Sequence, residues 1–198
     1  MALFSENGEL HVFKGHYLSD TQAVTEISLE SVPFEVAAVY ANDGCHGYMK
    51  LRFDDRSIAW FTQNLHKIAD AGTRACIWRY FWFLVQDRQM PATQFMSFVE
   101  NNLVNETVEQ IISVALMNLS GLVNSYTPVD RVKDSKSKVF KILLKLLEKG
   151  EEIPKLPIID MLFAFISSDE DLSMCIEWML AEKIILPGGQ EFELVKKN

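Results

Sequence analysis

The chain has 198 residues, of which 48% are hydrophobic and 23% charged, and it carries a formal net charge of −8. Those totals describe an ordinary globular protein with one sizeable core, or one domain with part of another. The acidic balance excludes a general nucleic-acid binder, because no cationic excess exists to neutralise phosphates.

The opening MALFSENGEL lacks the charged and apolar regions of a secretory signal. Met1–Leu3 reads as an addition placed ahead of native sequence. Gly8–Gly15 and Ala23–Leu29 read as short strands; in the second, Thr25, Ile27 and Leu29 alternate with Val24, Glu26 and Ser28. Pro33 marks a loop, and the uniformly apolar Glu35–Ala41 suits a strand covered on both faces.

Asn42–Arg56, NDGCHGYMKLRFDDR, is the seam of the chain. Before it residues alternate in the two-residue rhythm of strands, and after it they follow the 3.6-residue rhythm of helices. Turn formers (Asn42, Asp43, Gly44, Gly47) open it. A fourth strand, Tyr48–Phe53, is predicted to point Met49, Leu51 and Phe53 one way and Tyr48, Lys50 and Arg52 the other. Asp54, Asp55 and Ser57 can then accept from the free N–H groups of a helix's first turn.

Seven helices are predicted beyond the seam. Asp55–Ala69 presents Ile58, Phe61, Leu65 and Ile68 along one face. Thr73–Asp87 is apolar almost all round and is the most buried helix predicted. Pro91 opens a third, with Phe95, Phe98, Val99 and Leu103 inward. The fourth starts at Asn105 or Thr107, turns Val108, Ile111, Ala115, Leu119, Leu122 and Val123 inward, and ends at Pro128. Val132–Lys149 sets Val139, Ile142, Leu143, Leu146 and Leu147 against Lys136, Lys138, Lys141 and Lys145, a solvated basic face opposite a core stripe. Pro154 and Pro157 open Ile158–Ile166, and Ser167, Ser168 and Asp169 cap Leu172–Lys183, before Pro187–Gly189 and a short tail. The fold class predicted is mainly α: stacked antiparallel helix pairs, α-solenoid-like in the manner of HEAT or armadillo repeats, preceded by a short β-strand segment. The predicted organisation is a strand segment over residues 1–47 and a helical domain over 48–198.

Chemistry-bearing patterns are sparse. The histidines are His11, His16, His46 and His66, and none form the His-Glu-x-x-His face of a zinc helix. Cys45–His46 could begin a ligand set, but no Cys-x-x-Cys accompanies it. Cys45, Cys76 and Cys175 are odd in number and far apart, which points to a reducing compartment, hence the cytoplasm, rather than a disulfide framework. Cys76 and Cys175 fall in apolar helices where inert core thiols are the norm. Nucleophile elbows and phosphate-cradling glycine loops are missing, and Gly188–Gly189 is an isolated turn. Glu151–Glu152 and Asp169–Glu170–Asp171 most simply serve helix starts, and Trp78–Phe83 reads as core. The long apolar run of a membrane span is also missing. No catalytic, cofactor-binding or metal-binding residue is assigned, and no substrate-binding residue is identifiable.

The seam nonetheless resembles the Asn-Asp-x-x-x-Gly-Tyr-x-Lys-x-Arg-Phe/Leu-Asp stretch of M1-family zinc aminopeptidases, the aminopeptidase N type. The matching residues are Asn42, Asp43, Gly47, Tyr48, Lys50, Arg52, Phe53 and Asp54. Ile68–Asp87 is similar to that family's Ile-x-Asp-x-x-x-Arg-Ala-x-x-Trp-x-x-x-Trp-x-x-Val-x-Asp helix pair, with Arg74, Trp78, Trp82 and Asp87 in step. Tyr126-Thr-Pro128 and Ser167–Leu172 fit more loosely. The resemblance runs from about Val36 to about Trp178. It implies the end of a β-sandwich domain followed by much of the C-terminal helical domain, which in that family is a bowl covering the active site and enclosing a peptide chamber.

The family's chemistry lies upstream, in a His-Glu-x-x-His with a distant Glu and a Gly-x-Met-x-Asn loop, none of which occurs here. The resemblance therefore implies a non-catalytic C-terminal portion, a fragment or a short paralogue, inactive alone. Zinc is expected only in the catalytic domain of a parent enzyme that removes N-terminal amino acids from peptides. The expected partners are that enzyme's remaining domains and its peptide substrate, with neither nucleic acid nor membrane. The rival reading is a stand-alone helical interaction module. A portion of a larger protein should expose an apolar patch where its missing parts dock, whereas a self-contained module should be polar at both ends.

Overall fold

The computed structural model describes residues 1–12, 26, 28, 32–149, 155–186 and 188–194. It is mainly helical, with short strands, and its described residues fall into two compact units, Met1–Met90 and Pro91–Asn198.

The first unit joins a small antiparallel sheet to two helices. Strands β1 (Ala2–Phe4), β2 (Leu10–Val12) and β3 (Ala38–Tyr40) lie in the order β2-β1-β3, with Leu3 opposite His11 on one side and Val39 on the other. Here the structure departs from expectation. Ala2–Phe4, for which no strand was predicted, forms the central strand, and Ala2, Leu3 and Phe4 are all buried. Tyr48–Phe53, read as a strand, has no ladder partner among the described residues. Tyr48 is fully exposed, while Leu51 and Phe53 are half-buried, Phe53 with its ring against Phe61 and Phe81. The predicted strand Ala23–Leu29 lies outside the described residues, save 26 and 28.

Helices α1 (Asp55–Asn64) and α2 (Ala71–Gln86) both start on an aspartate cap. Ser57 donates to Asp54 through its N–H at 2.9 Å and its hydroxyl at 2.6 Å, and the Thr73 N–H donates to Asp70 at 2.6 Å. Ser57 Oγ also accepts from the Val39 N–H at 2.9 Å, so the cap satisfies an outward backbone donor of β3. For Asp54, burial works to raise the pKa, but the Ser57 hydroxyl and N–H together outweigh it and hold the carboxyl below its usual value. The Thr73 N–H and hydroxyl lower Asp70 likewise, against a smaller opposing effect of burial.

Carboxyls depressed in the folded state stabilise it above their unfolded pKa, near 4, and lose that contribution as pH falls through the lower folded value. We expect the double variant Asp54→Ala, Asp70→Ala to lose about 1 kcal/mol per cap at neutral pH. Its stability should fall less between about pH 5 and pH 2 than that of the parent. Urea titrations across that range measure both effects, and an unchanged acid limb would contradict the assignment.

Five helices build the second unit: α3 (Ala92–Asn102), α4 (Glu109–Gly121), α5 (Val132–Leu147), α6 (Lys155–Ala164) and α7 (Asp169–Ala181). Pro91 precedes α3 as its cap, where its missing N–H costs nothing. Buried Glu106 accepts from the N–H groups of Thr107 and Val108 at 3.0 and 3.1 Å, ahead of α4. The end of α4 widens into a π-turn, Leu122–Tyr126, which Pro128 prevents from continuing. The inward stripe of α5 (Val139, Ile142, Leu143, Leu146, Leu147) is buried as its spacing predicts, and α5 packs against α6.

A hairpin the sequence did not suggest follows α7: β4 (Lys183–Ile185) pairs antiparallel with β5 (Glu191–Glu193). The Trp178 indole N–H donates to the Ile185 carbonyl at 3.0 Å, tying α7 to β4.

Candidate functional site

In the first unit, the residues that looked chemical prove to be structural. Gly44 and Cys45 have successive left-handed φ values of 70° and 54°, which turn Cys45 toward α2. Its sulfur is bonded to that of Cys76 in a disulfide. The expectation that the cysteines stay unpaired is thus corrected: the odd count arises from one pair plus Cys175. With the Cys45 sulfur engaged, Cys45–His46 does not begin a metal site. The Tyr40 hydroxyl donates to the Cys45 sulfur at 3.1 Å, and burial, then neighbouring Tyr80, drives that hydroxyl's pKa well above its ordinary value.

Asn42 organises the same turn. Its amide group donates to the Gly47 carbonyl and to the Tyr80 hydroxyl, both at 2.8 Å, and its oxygen accepts from the Gly47 N–H at 2.8 Å. Glycine suits position 47 because a Cβ there would press on Asn42 Oδ1 at 3.2 Å, an atom held by its hydrogen bond from the Gly47 N–H. Lys50 pairs with Asp87 at 2.8 and 2.9 Å, and Arg52 Nε donates to Gln89 at 2.7 Å. Buried Arg74 donates to the carbonyls of Ile68 and Ala69 at 2.8 and 3.0 Å, holding the link into α2.

The two sequence motifs are therefore halves of one latch. Asn42 meets Tyr80, Cys45 meets Cys76, Lys50 meets Asp87 and Phe53 meets Phe81, so the seam is fastened along α2. Of the run Trp78–Phe83 read as core, Trp78, Tyr80 and Phe81 are buried, while Trp82 and Phe83 are half-buried.

Other singled-out residues are equally quiet. Cys175 is buried in α7, and burial, then Asp171, pushes its thiol up to about 11, leaving it protonated and unreactive. Asp171 accepts from the N–H and hydroxyl of Ser167 at 3.2 and 3.1 Å, while Ser168 accepts from the Asp171 N–H at 3.0 Å: a helix start, as expected. Gly188 and Gly189 form the β4–β5 turn. His16, Glu151 and Glu152 lie outside the described residues. Among those described, no group of three or more His, Cys, Asp and Glu side chains could hold a metal ion. No helix among them is long and apolar enough to cross a membrane.

Two cavities lie in the second unit, between α3 and α5. A cavity of about 510 Å³ is lined by Thr93 and Met96 of α3, Tyr126 and Pro128 of the link, and Arg131, Asp134 and Lys138. A second, of about 370 Å³, is lined by Glu100, Asn101 and Val104 on one side and Lys138, Lys141 and Lys145 on the other. The two adjoin at Lys138 and form one groove. The basic face of α5, read as merely solvated, is one wall of it. Sequence reasoning missed this because the opposite wall comes from α3, about 40 residues earlier. Tyr126-Thr-Pro128, noted for its resemblance alone, was the one hint.

Finally, α7 leaves a stripe uncovered. Leu172, Ile176, Met179 and Leu180 follow helical spacing along one face and are 45%, 47%, 62% and 80% exposed.

Residues 38–155, more than half of the chain, match the family model of the ERAP1-like C-terminal domain. No curated protein matches the chain.

Proposed function

Since the chain belongs to the ERAP1-like C-terminal domain family, the C-terminal domain of M1-type aminopeptidases, we propose that it is a non-catalytic wall of such an enzyme. In this reading it caps the active site of a zinc-dependent domain that removes N-terminal residues from peptides. Its contribution is steric and electrostatic: it shapes the chamber through which a peptide reaches chemistry performed elsewhere. The α3–α5 groove, which falls within the matched residues, is the surface it would offer to a peptide.

The observation that carries this reading over a stand-alone interaction module is the bare stripe on α7. Four large apolar side chains in line on one helix are what a docking face exposes when its neighbour is elsewhere. A self-contained module would present polar residues there.

The purified chain, assayed with aminoacyl-arylamides and added zinc, should give no turnover above buffer. Turnover that scales with protein and disappears with a chelator would overturn the proposal.

A further inference from the structure

We propose that the α3–α5 groove binds an extended peptide segment bearing acidic side chains. This rests on the reading of the domain as a wall facing peptides, and it names the class of peptide that the wall holds.

The argument begins with charge. Arg131, Lys138, Lys141 and Lys145 are exposed, recur at spacings of 7, 3 and 4, and line the groove. None of the four has an ion-pair partner among the described residues. In a chain of net charge −8, a concave surface where four cations outnumber the carboxylates Asp134 and Glu100 raises the local concentration of anions.

Geometry then selects the kind of anion. From Arg131 to Lys145 the charges spread over roughly 20 Å of helix, too far apart to converge on one phosphate or carboxylate. An extended peptide, rising about 3.3 Å per residue, spans that row with about six residues. The lining is also mixed. Met96, Tyr126, Pro128 and Val104 supply apolar surface, and Asp134 and Glu100 interrupt the cations. A uniformly anionic polymer would meet repulsion at Asp134 and Glu100 and find no use for the apolar floor. A heteropolymer can place carboxylates opposite the lysines and apolar or basic side chains elsewhere.

Fluorescence anisotropy on the full chain tests this with three labelled peptides of about eight residues: a Glu-Ala repeat, an Ala-Ser repeat and a Lys-Ala repeat. Phosphatidylserine vesicles form a fourth arm. The acidic peptide should bind about tenfold more tightly than the neutral one, and less tightly as salt rises from about 0.05 to about 0.5 M. The double variant Lys138→Glu, Lys145→Glu should lose about tenfold, and Lys138→Gln, Lys145→Gln less, both with unchanged circular dichroism and Tm. Equal binding of the acidic and neutral peptides overturns the acidic class while leaving the peptide-facing wall in place. Binding to vesicles but to no peptide overturns the proposal in favour of a lipid surface. Failure of all three peptides overturns it together with the peptide-facing wall.

Discussion

Phe61→Ala is expected to destabilise the first unit by about 3–5 kcal/mol. Phe61 is fully buried and sits at the centre of an aromatic cluster, with ring centroids 5.8 Å from Phe4, 5.4 Å from Phe53, 5.5 Å from Trp60 and 6.4 Å from Phe81. Those rings come from β1, the seam, α1 and α2, so one side chain touches every layer of the unit. Truncation removes its burial, leaves a cavity walled by stiff rings that cannot collapse into it, and loses several edge-to-face contacts worth about 0.5–1.5 kcal/mol each. Set against a typical domain stability of about 5–15 kcal/mol, the loss threatens folding at 37 °C. Guanidinium titration followed by the near-ultraviolet signal of the tryptophans measures it, with Phe61→Leu expected to fall between variant and parent. A loss below about 1 kcal/mol would mean that the cluster does not hold the sheet to the helices.

The second large effect is expected at Asn42. Asn42→Ala should cost about 2–4 kcal/mol, because it strands the N–H and carbonyl of Gly47 and removes a donor from the buried Tyr80 hydroxyl. Asn42→Asp separates the contributions, since it keeps the oxygen that accepts from Gly47 but removes both amide donations and adds a charge at a site only 5% exposed. Both variants should be markedly destabilised. Pairing Asn42→Ala with Tyr80→Phe closes a double-mutant cycle, and a coupling energy indistinguishable from zero would refute the Asn42–Tyr80 contact.

The helices were legible in the sequence because their signals are local. Asp54 and Ser168 cap where short polar side chains precede apolar stripes, Pro91 opens α3, and the α5 stripe is buried as its period requires, whereas the Asp70 cap starts α2 two residues before the predicted Thr73. Strands fared worse. Alternation at Tyr48–Phe53 is real, but a ladder needs a partner, and alternation says nothing about one. Ala2–Phe4 is too short to show a period, and its burial comes from β2 beside it and, far along the chain, from β3 and the Trp60 and Phe61 rings of α1. The β4–β5 hairpin hides between Lys183 and Glu193 because each strand has only three residues.

The same division governs the candidate sites. Resemblance picked out Asn42, Gly47, Lys50, Arg74 and Asp87 correctly as a set, but their purpose emerges only when the seam lies along α2. Cys45 and Cys76 look unrelated in sequence because a turn and a helix stand between them. The groove needs two helices side by side, and periodicity can describe only one at a time.

The Cys45–Cys76 bond has a topological consequence. Its ends are 31 residues apart, and the whole of α1 lies between them. This helix therefore belongs to a covalent ring, and closing a loop of that size removes about 3–4 kcal/mol of chain entropy from the unfolded ensemble. A protease cut between α1 and α2 would open the ring without separating the pieces, which would migrate as one species until a reductant released them. The seam stays fastened to α2 even when the chain between them is broken.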